Sequence, residues 1–265
     1  MITSVMMAGL PGNMATIIAN AIRLESNMQL LNVALAEADG NSQIVDQSII
    51  YVPLDKHEEI LKSLWPDIIV DFTAPGAVNR NAELYCRCGI PFVMGTTGGD
   101  RKKLAETVEH SSIPAVIAPN MAKQIVVLLE MMKFAATNFP NSFRDYRLVI
   151  RESHQQAKKD QSGTAKKMVS YFNMLGIPFT EDQIISERNP IVQEVSWGVP
   201  QEHLAGHGYH TYELLSPDGT VFFQFTHNVN GRNIYLPGII ESIRFLARQE
   251  KGVGKIFSMA DVLRG

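Results

Sequence analysis

The chain has almost no cysteine: Cys86 and Cys88 are the only two among 265 residues. A disulfide-stapled fold is therefore excluded. At C-x-C spacing the pair also lacks the second pair of ligands that a structural zinc site needs. Two reduced thiols at a helix end, in a cytoplasmic protein, are expected, and no metal. Charge of one sign is also missing, since 24 basic residues against 27 acidic ones leave a net charge of −3. No basic stripe stands out, so nucleic acid is not an expected partner. No apolar run approaches the roughly 20 residues that span a bilayer, so no membrane is expected either. Met1 leads directly into Ile2–Ala8 and a glycine turn without a basic n-region, so no signal peptide is expected. Internal repeats and low-complexity tracts are absent. What is present is an ordinary hydrophobic content of 45%, enough for a sizeable core in one large domain or two modest ones.

The apolar pattern divides the chain. Ile2–Ala8 reads as a buried strand, Gly9-Leu10-Pro11-Gly12 as a turn, and Met14, Ile17, Ile18, Ala21 and Ile22 recur at helical spacing. Leu31–Glu37 follows as a second strand. His57–Leu64, Ala77–Cys88 and Arg101–His110 read as helices; Ile68–Phe72, Pro91–Met94 and Ala115–Ala118 read as short buried strands between them. Buried strands alternating with helices predict a mostly parallel α/β sheet of Rossmann-like build. The rhythm changes near Ala118-Pro119-Asn120. Ile125–Thr137 is a long apolar helix, and Thr164–Leu175 is a second. Strand-like runs dominate the rest: Tyr146–Glu152, Ile184–Arg188, Gln193–Trp197, His207–Leu215 and Val221–Asn228. Tyr235–Arg248 returns to helix. The expected layout is a dinucleotide-binding domain of residues 1–120 and 234–265. An α+β domain with a mixed sheet, residues 121–233, is inserted into it for substrate binding and oligomerisation.

Met7-Ala8-Gly9-Leu10-Pro11-Gly12-Asn13-Met14 is a partial G-x-G-x-x-G fingerprint. Gly9 lets a pyrophosphate approach the backbone, Gly12 lets helix and strand pack closely, and Met7 replaces the first glycine. Glu37 ends the second strand, where a carboxylate bonds ribose hydroxyls. No basic residue follows at Ala38 to meet a 2′-phosphate, which favours NADH over NADPH. Gly95-Thr96-Thr97-Gly98-Gly99, Asp71-Phe72-Thr73 and Ala118-Pro119-Asn120 all end strands on one predicted edge of the sheet, where a ligand crevice lies.

The densest chemistry is Glu152-Ser153-His154-Gln155-Gln156-Ala157-Lys158-Lys159-Asp160-Gln161-Ser162-Gly163-Thr164-Ala165. Strand alternation puts Leu148, Ile150, Glu152 and His154 on one face, so His154 extends a buried face rather than pointing to bulk water. Lys158 lies four residues on. Ser162-Gly163-Thr164 opens a helix whose free N–H groups can hold a carboxylate. A proton donor and a fixed positive charge beside such a helix start suit a small anionic substrate. His207 and His210 stand three apart in a strand and point to opposite faces, so that pair does not converge on a metal. On the residues alone, another nicotinamide oxidoreductase of the same build and a non-catalytic dinucleotide sensor both stay open.

Together these segments resemble the 4-hydroxy-tetrahydrodipicolinate reductases, the dihydrodipicolinate reductases of lysine biosynthesis. The family signature E-x-H-H-x-x-K-x-D-x-P-S-G-T-A stands here one residue shorter, as E-S-H-Q-Q-A-K-K-D-Q-S-G-T-A. That short form looks like the plant-type branch. So do Asn81–Tyr85, Pro91–Arg101 and Ser216–Val221, and the likeness runs from Val5 to Leu263. It implies reduction of the cyclic dicarboxylate 4-hydroxy-tetrahydrodipicolinate, with loss of water, using NADH or NADPH. It implies His154 as catalytic histidine and Lys158 as proton donor, with Gln155, Ser162, Gly163 and Thr164 binding substrate. Gly9, Gly12, Asn13, Met14, Glu37, Phe72, Thr73, Gly95, Thr97, Pro119, Asn120 and Met121 take cofactor-contacting positions. Asn13 and Ala38 stand where many bacterial members have arginine. A homo-oligomer, dimer or tetramer, is implied as well.

Overall fold

A computed structural model describes residues 2–36 and 49–265. The chain forms two compact units: Met1–Lys123 with Tyr235–Gly265, and Gln124–Ile234. The first half runs β1 (Thr3–Ala8), α1 (Asn13–Arg23), β2 (Met28–Leu35), β3 (Ile50–Val52), α2 (His57–Leu64) and β4 (Ile68–Asp71). It continues with α3 (Val78–Cys88), β5 (Phe92–Met94), α4 (Arg101–Glu109) and β6 (Pro114–Ile117). The second unit holds α5 (Lys123–Asn138), β7 (Arg147–His154), α6 (Gly163–Met174), β8 (Ile185–Glu187), α7 (Pro190–Trp197), β9 (His207–Leu215) and β10 (Phe222–Asn230). The chain then returns with α8 (Leu236–Leu246), β11 (Lys255–Phe257) and α9 (Met259–Arg264).

In the first unit, seven parallel strands lie in the order β11-β6-β5-β4-β1-β2-β3. Met6, Ala8, Ile69, Phe92 and Met94 are buried against Leu61, Ala82, Tyr85 and Leu104 of the covering helices. Continuous apolar strands of this kind require cover on both faces, which the crossover helices supply. The ladder continues past the strand ends: Phe72 N donates to Ala8 O at 3.1 Å, Gly95 N to Asp71 O at 3.1 Å and Ala118 N to Met94 O at 3.0 Å. The turns after β1, β4, β5 and β6 are thereby aligned on one edge. Gly238 of α8 sits so close to the 118–121 segment that a Cβ there would lie 2.0 Å from the Met121 carbonyl.

The second unit carries a mixed four-stranded sheet, β10-β9-β7-β8, with β7 antiparallel to β9 and parallel to β8. Leu148, Ile150, Tyr212 and Leu214 bury one face of it against Ala165, Met168, Val169 and Phe172 of α6. The fold class read from the sequence holds. One element does not: Gln193–Trp197, expected as a strand, is the body of α7. The alternation of Ile191, Val192, Val195 and Trp197 fits either period, and the ends decide. Asn189 caps the helix by accepting from Ile191 N, Pro190 opens it, and Gly198 closes it in the left-handed conformation.

Candidate active site

In the first unit, the turn after β1 is shaped by contact with the neighbouring strand end. Gly9 has φ +103°, and a Cβ there would lie 2.3 Å from the Phe72 carbonyl oxygen. Gly12 N donates to Gly9 O at 2.9 Å, and Gly12 caps α1 with no side chain. The first-turn amides of α1, at Asn13 and Met14, are therefore covered by backbone alone, which suits a diphosphate. Gly95 is forced by Phe72, whose ring would stand 2.2 Å from a Cβ. Asp71 organises the rest. Its fully buried carboxylate accepts from Thr73 Oγ1 at 2.7 Å, Tyr85 Oη at 2.8 Å, Asn81 Nδ2 at 3.0 Å and Thr96 Oγ1 at 3.1 Å. It ties the β4 turn to the Gly95–Thr97 turn. Asn120 accepts from Ala122 N at 2.9 Å, and Met121 is buried. Gly9, Gly12, Asn13, Met14, Phe72, Thr73, Gly95, Thr97, Pro119, Asn120 and Met121 thus line one edge of the sheet. Glu37 and Ala38 lie outside the described residues.

In the second unit, β7 presents Leu148, Ile150 and Glu152 buried, with His154 half-buried at its end. The strand register then brings in residues from far along the chain. His210 lies opposite Glu152, and His227 lies opposite His210. Opposed residues share a face, so Glu152, His210 and His227 form one row across three strands with His154 beside it. His154 Nε2 is 3.1 Å from His210 Nε2, and His154 Nδ1 is 3.0 Å from the His207 carbonyl. Tyr212 Oη stands 3.4 Å from His210 Nδ1 and 3.5 Å from His227 Nε2. His210 and His227 rings stack at 4.6 Å. Burial holds His154 down at about 4 and His227 at about 4. It pushes His210 well below its usual value, helped by the neighbouring histidines. All three are neutral at pH 7.

Glu152 is fully buried, and its carboxylate meets Arg188 Nη2 at 2.5 Å, Ser162 N at 3.0 Å and Ser186 Oγ at 3.2 Å. Glu152, His154 and His210 offer three ligand atoms within 4.8 Å of one another. A cation there would face the Arg188 guanidinium already paired with the carboxylate, with Lys158 adding to the same positive field. The donor set is better suited to holding neutral imidazoles beside an anion.

The expected substrate residues lie on the turn that follows. Lys158 N donates to Gln155 O at 2.9 Å, closing the turn. Lys158 is half-buried and Lys159 exposed. Ser162 caps α6 by accepting from Thr164 N at 3.2 Å. A Cβ at Gly163 would meet nothing within 4 Å, so the helix start opens onto free space. Sequence reasoning weighed His210 only as a metal pair with His207, and passed over His227, Arg188 and Gln193 as site residues. The two histidines are placed by strand register, Arg188 follows directly on β8, and Gln193 lies within α7, the element misread as a strand.

Two family models match the chain: Dihydrodipicolinate reductase, N-terminus, over residues 3–121, and Dihydrodipicolinate reductase, C-terminus, over residues 124–263. The chain is 45% identical over 262 residues to a probable 4-hydroxy-tetrahydrodipicolinate reductase 1, chloroplastic, of Oryza sativa subsp. japonica, covering 96% of this chain and 76% of the relative. It is 44% identical over 271 residues to 4-hydroxy-tetrahydrodipicolinate reductase 1, chloroplastic, of Arabidopsis thaliana, covering 98% and 78%. The fold is similar to that of a dipicolinate-bound dihydrodipicolinate reductase from Paenisporosarcina sp. TG-14, with TM-score 0.69, 20% identity and coverage of 97% and 98%.

Proposed function

Because the chain belongs to the dihydrodipicolinate reductase family, we infer that it reduces 4-hydroxy-tetrahydrodipicolinate to tetrahydrodipicolinate, a step of the diaminopimelate route to lysine. A reduced nicotinamide, NADH or NADPH, supplies the hydride when bound. The glycine turn and bare α1 start at Gly9–Met14 fit its diphosphate, and Phe72, Thr73, Gly95, Thr97 and Pro119–Met121 flank it along the same edge.

The observation that carries the substrate reading is the short turn from His154 to Thr164. It gathers an imidazole, an ammonium and an open helix start. One substrate carboxylate takes the amide of Gly163 and the hydroxyl of Thr164, whose own amide is capped by Ser162, with Gln155 beside the histidine. Loss of water leaves an unsaturated ring. As hydride reaches a ring carbon, negative charge develops on the neighbouring nitrogen system. The cationic Lys158 stabilises that charge and gives up its proton to it. His154, neutral because it is buried, is not the standing acid. It orients the ring and passes protons on after Lys158 has acted.

The protein acts as a homo-oligomer, dimer or tetramer, assembled through the second unit's sheet. Support comes from β10, an edge strand with Phe222 and Phe223 exposed. Among the described residues no helix is long and apolar enough to cross a membrane. We assign a cytoplasmic setting on the two free cysteines, Cys86 and Cys88. The activity is tested by adding the product of the preceding pathway enzyme to purified protein with NADH or NADPH and following absorbance at 340 nm. Loss of absorbance is expected, and none with either cofactor would overturn the reading.

A further inference from the structure

The turn that carries Lys158 is gripped from outside by a single side chain. Arg188 follows β8, which runs parallel to β7, so the two strand ends emerge side by side. From there Arg188 Nε donates to the Lys158 carbonyl at 2.9 Å, Nη1 to the Glu187 carbonyl at 2.8 Å, and Nη2 to Glu152 at 2.5 Å and to the Asp160 carbonyl at 3.4 Å. Its side chain is 19% exposed against 0% for Glu152, so the pair is desolvated and the fork has little freedom to wander. Five residues further on, Gln193 is fully buried and donates from Nε2 to the His154 carbonyl at 2.6 Å and to Glu187 O at 3.2 Å. Glu187 in turn accepts from the amides of Arg188 and Asn189 at 2.8 and 2.7 Å, which fixes the bend between β8 and α7.

We propose that Arg188 is a positioning residue for Lys158 and Gln193 a positioning residue for His154, so that segment 187–193 is the strut holding the reacting turn. The proposal rests on the reading of Lys158 as proton donor. Neither strut residue has to touch substrate. Each holds the backbone carbonyl of the residue whose side chain does the chemistry, and so fixes where that side chain starts. An ammonium on a four-carbon stem is well placed only if its Cα is held, and displacement of a reacting group by about 1 Å can cost about 100-fold in rate. The planar guanidinium meets three carbonyls and a carboxylate at once; an ammonium is a point charge that lacks this fixed fork. Lys158 N–H to Gln155 O closes the turn from inside, and Arg188 closes it from outside.

The test compares wild type, Arg188→Lys, Arg188→Ala, Gln193→Met and Lys158→Ala by steady-state kinetics and by amide hydrogen exchange over residues 155–161. Arg188→Lys keeps a positive charge beside Glu152 and is expected to fold. Its kcat should fall about 10- to 100-fold, with KM for the nicotinamide cofactor unchanged and exchange across the turn accelerated. Added guanidinium ion should restore part of the kcat of Arg188→Ala, which a general loss of stability would not allow. Gln193→Met should lower kcat in the same sense, with exchange faster toward the Gln155 end. If folded Arg188→Lys kept turnover within about threefold of wild type and exchange over 155–161 were unchanged, the strut would be refuted. Should Arg188→Ala fail to fold, Arg188→Lys still decides. If Lys158→Ala itself kept its turnover, the assignment of the proton donor would be at fault, while the exchange data would still report on the strut.

Discussion

His210 Nε2 stands 3.1 Å from His154 Nε2, and the groups on either side decide which of them donates. His154 Nδ1 faces the His207 carbonyl, so it carries the proton of that neutral ring and leaves Nε2 as acceptor. His210 then donates from Nε2, and its Nδ1 accepts from the Tyr212 hydroxyl. Burial pushes that hydroxyl above its ordinary range, which keeps it protonated and able to donate. Nitrogen-15 NMR of histidine-labelled protein at pH 7 should show a neutral His154 with its proton on Nδ1. Removal of the donor by His210→Phe should lower turnover by up to about tenfold, the scale of one hydrogen bond. A wild-type His154 protonated at Nε2 would contradict this arrangement.

The same burial gives the protein a pH-dependent stability. His154 and His227 are held at about 4, and His207 and His210 are also lowered, against an ordinary value of 6.5. Between pH 6.5 and about 4 the unfolded chain therefore binds protons that the folded one refuses, and stability rises with pH across that window. Tm should fall steadily from pH 7 to pH 4, each histidine contributing at most about 1.4 kcal/mol per pH unit. His227→Phe should flatten the slope. A Tm independent of pH between 6.5 and 4.5 would exclude the mechanism.

Gly9 cannot carry a side chain. Its φ is +103°, and a Cβ at this position would lie 2.3 Å from the Phe72 carbonyl oxygen; both oppose Gly9→Ala. The backbone strain alone costs about 1–3 kcal/mol. Thermal unfolding should show that loss, and quenching of NADH fluorescence should show weakened cofactor binding. An unchanged affinity would mean that the turn after β1 is not where the diphosphate lies.

Glu152 and Arg188 are worth more as a pair than singly. Glu152→Ala leaves a largely buried guanidinium without its counter-charge and should cost about 3–5 kcal/mol in urea unfolding. Glu152→Ala combined with Arg188→Met should recover part of that loss. Additive losses in the double variant would show that the two do not interact.

Much of this was legible in the residues. The strand-helix alternation up to Ile117 pointed to the parallel sheet, because each buried strand is a short continuous apolar run and each helix has a clear stripe. The burial of Leu148, Ile150 and Glu152 followed from simple alternation, which also placed His154 at the end of that face. The histidine row was not legible. His210 and His227 reach Glu152 through pairings of strands 58 and 17 residues apart in sequence, and a period-2 pattern carries no register between strands. The strand reading of Gln193–Trp197 also failed, since its apolar spacing suits both periods and only Asn189, Pro190 and Gly198 at its ends distinguish them. That misreading hid Gln193; Arg188 closed a run correctly read as a strand, and its reach across to the turn depends on the β7–β8 pairing, which no periodicity carries.

The role proposed for Lys158 as proton donor is decided by the steady-state turnover of Lys158→Ala with saturating NADH. A kcat lowered by about 10²–10⁴-fold, with NADH affinity unchanged, is the predicted result. Turnover close to wild type would remove Lys158 as the proton donor.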